Sequence, residues 1–162
     1  MNSPGALLLA AWLGASTLFA TVVAPAGFAV LPSRSLAGAL VGQVLPVVYT
    51  AGIVVALVAM VLDRRGGGRA PRARRAALVV AAIACAVAQF VVAPRIERLR
   101  AESGGGDAIA EDDARRAFGR LHTASAACLM LAMLGVGVTI VLGALPARPR
   151  GARAGESVTV AS

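Results

Sequence analysis

His122 is the only histidine in the chain, and Ser125 follows it three residues later. On a helix that spacing brings an imidazole and a hydroxyl to nearly the same face, where they suit hydrogen bonding or proton exchange. Thr21, Gln43, Arg95 and Arg120 are the other polar groups that the order of segments places at a similar level. Together with His122 and Ser125 they form a candidate polar cleft for a small solute or ion. The bland alternative is that Gln43 and Thr21 simply join helices by hydrogen bonds. A metal site draws on His122, Cys128, Met130 and Met133, but residues six or eight apart on a helix do not make one face-to-face chelate, and Cys128 points away from His122, so ligands from another helix or subunit would be needed. No catalytic residue is assigned, because no HExxH, GxSxG, paired intramembrane carboxylate or phosphate-binding glycine loop is present. No metal or other cofactor is expected.

The segments that must position these groups are set by where charge is absent. No charged side chain occurs from Met1 to Ser33, from Ser35 to Leu62, from Ala76 to Pro94, or from Leu121 to Ala147. A hydrocarbon core about 30 Å thick takes about 20 apolar residues of helix to cross. Each stretch is therefore read as one crossing. The spans expected are 5–25, 36–62, 76–93 and 121–145, with 146–162 a disordered cytoplasmic tail. With 58% hydrophobic and 15% charged residues in 162, nothing remains to build a soluble domain. The fold class is all-α, an integral membrane four-helix bundle. The first span is read as uncleaved, since no positive side chain precedes its long apolar run.

Within the spans, Gly38 and Gly42 form a small-residue ridge expected to pack against another helix. Pro46 should bend the second span. Val22-Val23-Ala24-Pro25 and Val91-Val92-Ala93-Pro94 end the first and third spans, as they would if two helical hairpins were related as a parallel repeat.

All 16 basic residues are arginine, and the formal charge is +8. In a soluble protein this would suggest nucleic acid, but these arginines lie in short connections beside hydrophobic spans, so nucleic acid is not an expected partner. Arg64, Arg65, Arg69, Arg72, Arg74 and Arg75 crowd the second connection, whereas Arg34 alone occupies the first. By the positive-inside rule these six are the topology determinants, and both termini are cytoplasmic, in what is read as a bacterial inner (plasma) membrane. Cys85 and Cys128 lie within apolar stretches, without CxxC or zinc spacing, and read as small hydrophobes.

Trp12, Gly14 and Phe19 precede Val23-Ala24-Pro25 and Phe28, Gly42 and Tyr49 follow, and Pro94 and Arg95 leave the third span. Phe118-Gly119-Arg120-Leu121-His122 and Ser125 open the fourth. On these pieces the chain resembles the domain-of-unknown-function 4149 family, with members of the transmembrane protein 205 type, over roughly Leu8 to Leu142. The resemblance implies a four-span membrane domain with no established reaction, with eukaryotic relatives associated with drug resistance and secretory membranes. The function expected is non-enzymatic: support of transport, resistance or membrane organisation, in contact with lipid, with a homo-oligomer or membrane partner left open. The alternative is a metal-handling or redox accessory subunit using His122.

Overall fold

The computed structural model describes residues 4–63, 70–102 and 112–145. Four long helices account for almost all of them. We call them α1 (Pro4–Val30), α2 (Arg34–Asp63), α3 (71–102) and α4 (Asp112–Ala144). No strand is present among the described residues, so the chain is an all-α four-helix bundle. Consecutive helices are neighbours and α4 closes back onto α1, which leaves α2 and α4 facing each other across the diagonal. The two ends of the bundle therefore differ in kind: one carries the start of α1 and the end of α4, the other the turn between α1 and α2.

Local sequence explains the helix ends and irregularities. The Ser33 hydroxyl accepts the Leu36 N–H at 3.2 Å and so caps the start of α2. Ala70 enters α3 at φ 54°, and Pro71 takes the first helical position, where a missing N–H costs nothing. Both α1 and α3 contain one π-helical turn, Phe19–Val23 and Ala88–Val92. In each, the residue before a proline donates five residues back: Ala24 N–H to the Phe19 carbonyl, and Ala93 N–H to the Ala88 carbonyl. A proline ring collides with the carbonyl four residues before it, so a widened turn lets the helix run past Pro25 and Pro94. The two Val-Val-Ala-Pro segments thus adopt the same local structure.

The helices run beyond the apolar spans. Pro25 and Pro94 do not end their helices; α1 continues to Val30 and α3 to Glu102. Pro46 lies inside α2, which continues on both sides of it. The residues 146–162, the glycine runs of the connections, and Arg64, Arg65 and Arg69 lie outside the described residues.

The interior is built mostly from small side chains. Ala56, Ala59, Ala81, Ala84, Cys85, Ala88 and Ala132 are buried with Leu9, Trp12, Tyr49, Leu78 and Val136. Close approach is set by two glycines. A Cβ on Gly135 would lie 2.7 Å from the Ala77 carbonyl oxygen, so α4 presses against the backbone of α3 there. A Cβ on Gly52 would lie 2.8 Å from both Cys85 Sγ and the Trp12 ring. Trp12 itself donates its indole N–H to the Val48 carbonyl at 2.9 Å, which satisfies its one polar atom inside the bundle.

The outside is the reverse of a soluble surface. Val30, Phe90, Val47, Leu7 and Leu134 are 80%, 70%, 67%, 66% and 63% exposed. In water so much contiguous apolar surface would drive aggregation; in hydrocarbon it is the expected perimeter. All four helices are long and apolar enough to cross a membrane.

Candidate functional site

At the end where α1 turns into α2, a narrow cleft with about 40 Å³ of open space lies between α2, α3 and α4. Its rim is Arg100 and its walls include Val41, Leu45, Ile96 and Phe118. Its inner polar groups are Tyr49 and Ser125. Seven residues separate Gly42 from Tyr49 on α2, a rise of about 10 Å, so the cleft runs from the end of the bundle toward its middle.

Arg100 is held from four directions. Its Nη2 donates to the Gly38 carbonyl at 2.8 Å, and its Nη1 to Glu97 Oε1 at 2.8 Å. Its guanidinium carbon lies 5.7 Å from the centre of the Phe118 ring, a cation–π distance. Gly42 supplies the fourth side: a Cβ there would come within 2.5 Å of Nη1. Gly38 and Gly42 do face another helix, but what they admit is the arginine head of α3 rather than a close helix backbone. A backbone carbonyl and an aromatic face orient the cation without cancelling its charge. Among the described residues only Glu97 does that, and its side chain is 63% exposed.

Deeper in the cleft, Tyr49 crosses the diagonal of the bundle. Its hydroxyl lies 2.7 Å from Ser125 Oγ and donates toward the Ser125 carbonyl at 3.0 Å. Tyr49 is 1% and Ser125 4% exposed, so this pair is a satisfied polar link between α2 and α4 in an apolar surround. His122 also lines the cleft, with its ring stacked near Phe118 at 6.4 Å between centroids and 8° between planes.

The structure brings only two of the six expected cleft residues together: Ser125 and His122. Thr21 is exposed and donates to the Thr17 carbonyl of its own helix at 2.8 Å, the usual way a threonine satisfies itself in an apolar helix. Gln43 is exposed on the other side of α2 from the Tyr49 stripe, and Arg95 and Arg120 are exposed on α3 and α4. Arg100 and Glu97 were missed as site residues, and Tyr49 stood only as part of a resemblance. A lone tyrosine deep in an apolar span was itself a signal, since its hydroxyl must find a partner there.

At the opposite end, Arg74 of α3 meets Asp63 of α2 at 2.6 Å, with their side chains 16% and 10% exposed. Gly143 of α4 lies beside the pair, where a Cβ would be in ordinary contact with the Arg74 guanidinium. Arg72 and Arg75, two further arginines of the second connection, are exposed beside it. Among the described residues, no three of His, Cys, Asp and Glu converge as metal ligands would.

Four apolar helices with a lipid-facing perimeter make this a multi-pass membrane protein of the helical-bundle type. It belongs to the domain of unknown function 4149 family, whose model matches residues 7–104. That stretch holds α1 to α3, with Gly38, Gly42, Tyr49 and Arg100, and stops before the Phe118 to Ser125 segment on which the resemblance had partly rested. No curated protein and no solved structure matches the chain.

Proposed function

We propose that this is a non-enzymatic membrane protein that supports transport or resistance by taking an amphiphilic solute into the cleft between α2, α3 and α4. The observation that carries the reading is a half-buried arginine at the mouth of an apolar cleft whose inner end is polar. Such a mixed lining suits a molecule with one charged or polar end and a hydrocarbon body. The Ser125 hydroxyl is taken up by Tyr49, and His122 stacks on Phe118, an arrangement of orientation and packing rather than of a nucleophile with its base. The resemblance to the transmembrane protein 205 type is consistent with a resistance role.

In this reading the Arg74 end is cytoplasmic, both termini with it, and the cleft opens on the outer side of a bacterial inner membrane. Support comes from the six arginines of the second connection against Arg34 in the first. Cysteine labelling of intact cells at position 72 and at position 98 tests it; outer-side reagent should reach only the second.

Function is tested by reconstituting the protein in liposomes and following flux or binding of alkyl solutes. His122→Ala and Tyr49→Phe should each reduce the signal at least severalfold while the protein still purifies as a folded bundle. Solute handling that survives both substitutions unchanged would remove the cleft from the function.

A further inference from the structure

We infer that the cleft selects an oxyanion carried on a single hydrocarbon chain, a phosphate or carboxylate head, and that Glu97 holds its place when the cleft is empty. The inference rests on the solute-binding reading above and deepens it by naming the charge of the head group.

The argument starts from the fork of Arg100. A guanidinium has five N–H donors, and the bonds to Gly38 and Glu97 use two of them. The Gly38 bond and the Phe118 face fix the plane of the fork, which is the arrangement that binds a two-oxygen anion edge-on. The Glu97 bond is of a different kind. It joins residues three apart on one helix, and the carboxylate is 63% exposed, so holding it there yields little. An arriving oxyanion can replace it while Glu97 swings into water.

From Arg95 to Arg120 the sequence is charge-balanced, six arginines against six acidic residues, so the sign of the head rests on the lining of the cleft itself. Arg95 and Arg98 on α3 and Arg120 on α4 are exposed at this end of the bundle. Among the described side chains that line the cleft, Glu97 is the one carboxylate. A cationic head would have to sit beside Arg100 with only that exposed carboxylate in its favour. Behind the head, Val41, Leu45, Ala93, Ile96 and Phe118 offer apolar walls toward Tyr49, about 10 Å in, where about 40 Å³ of open space takes only the first carbons of an alkyl chain and leaves the rest to the apolar perimeter.

The test is calorimetric titration of the full-length protein in neutral maltoside micelles with four probes: dodecyl phosphate, dodecanoate, dodecyltrimethylammonium and inorganic phosphate. The two anionic amphiphiles should bind, and the cation and the chainless anion should bind at least tenfold more weakly. Arg100→Gln should weaken dodecyl phosphate by roughly tenfold, the loss of one charge-assisted pair. Should that variant fail to fold, Arg100→Lys keeps the charge, loses the fork, and should weaken it by less. The deciding variant is Glu97→Gln, which removes the competing carboxylate and should tighten dodecyl phosphate by about threefold or more. Unchanged or weaker binding in Glu97→Gln would overturn the displacement. Equal binding of the cationic amphiphile would overturn the anion selectivity while leaving solute binding intact, and equal binding of inorganic phosphate would overturn the chain. If no amphiphile binds at all, both the selectivity and the solute-binding reading fall.

Discussion

Helix α3 ends in an ion-paired arginine on both sides of the bundle, and the two are handled in opposite ways. Arg74 is paired across helices with a carboxylate as buried as itself, and that pair ties α3 to α2. Arg100 is paired within its own helix to a carboxylate that stands mostly in the open, and what crosses to α2 is a bond to a neutral carbonyl. Glycine makes the space at one of them only: a Cβ at Gly42 would collide with Arg100, whereas one at Gly143 would merely touch Arg74. The difference lies in where the countercharge is anchored. A carboxylate on a neighbouring helix fastens one end; a carboxylate that can leave keeps the other end available.

That contrast can be broken at its stronger side first. Asp63→Asn should destabilise the bundle by about 2–3 kcal/mol, somewhat less than for a fully buried pair, because Arg74 then keeps its charge with no carboxylate to meet it. Thermal unfolding in detergent would show the loss, and an Arg74→Gln background should absorb most of it in a double-mutant cycle. A full Asp63→Asn effect in that background would mean the ion pair is not what holds this end.

The glycines sharpen the comparison next. Gly135→Ala drives a methyl group toward a backbone carbonyl that has nowhere to move, and should cost about 1–3 kcal/mol. Gly42→Ala meets only the tip of a flexible arginine, and should cost under about 1 kcal/mol while displacing Arg100 from its seat. Melting temperatures of the two variants side by side decide it; a larger loss at Gly42 would show that the arginine seat is a rigid packing contact.

The smallest effect belongs to Glu97. Neutralising it to glutamine should change stability by no more than about 0.5 kcal/mol, as for other exposed pairs one turn apart. A melting shift as large as that of Asp63→Asn would make the two ends alike after all.

Much of the architecture was legible because charge and apolarity are segregated along this chain. Spans between Arg34 and Asp63, and between Arg75 and Arg95, could hardly be anything but crossings. The prolines misled, because Pro25 and Pro94 stand where a helix usually stops, and only the widened turn before each lets it go on. A helical extension from Arg95 to Glu102 was open from the sequence, but nothing there placed Arg100 opposite Gly38 and Gly42. Those two glycines were recognised by their GxxxG spacing, whereas Gly52 and Gly135, where helices come close, stand only in the looser rows Gly52-Ala56 and Gly135-Thr139-Gly143, which did not single them out. Their role depends on which neighbour lies across from them, and periodicity within one helix does not specify that. Depth along the chain suggested that Thr21 and Gln43 would join His122, but depth says nothing about which way a side chain points around its helix.

Each π turn also stores one residue of slack. Removing a residue from an ordinary stretch of α3, say between Leu78 and Ala84, would turn everything beyond it by about 100° and swing Arg100 out toward lipid. Removing one from Ala88–Val92 together with Pro94→Ala, so that no ring meets the carbonyl four residues back, should instead let that turn tighten to ordinary α-helix, with both flanks still in phase and Arg100 still over the cleft. The same holds for α1 at Phe19–Val23 with Pro25→Ala. The slack and the proline therefore belong together: each deletion is expected to be tolerated when its proline goes with it, and to be damaging a few turns away.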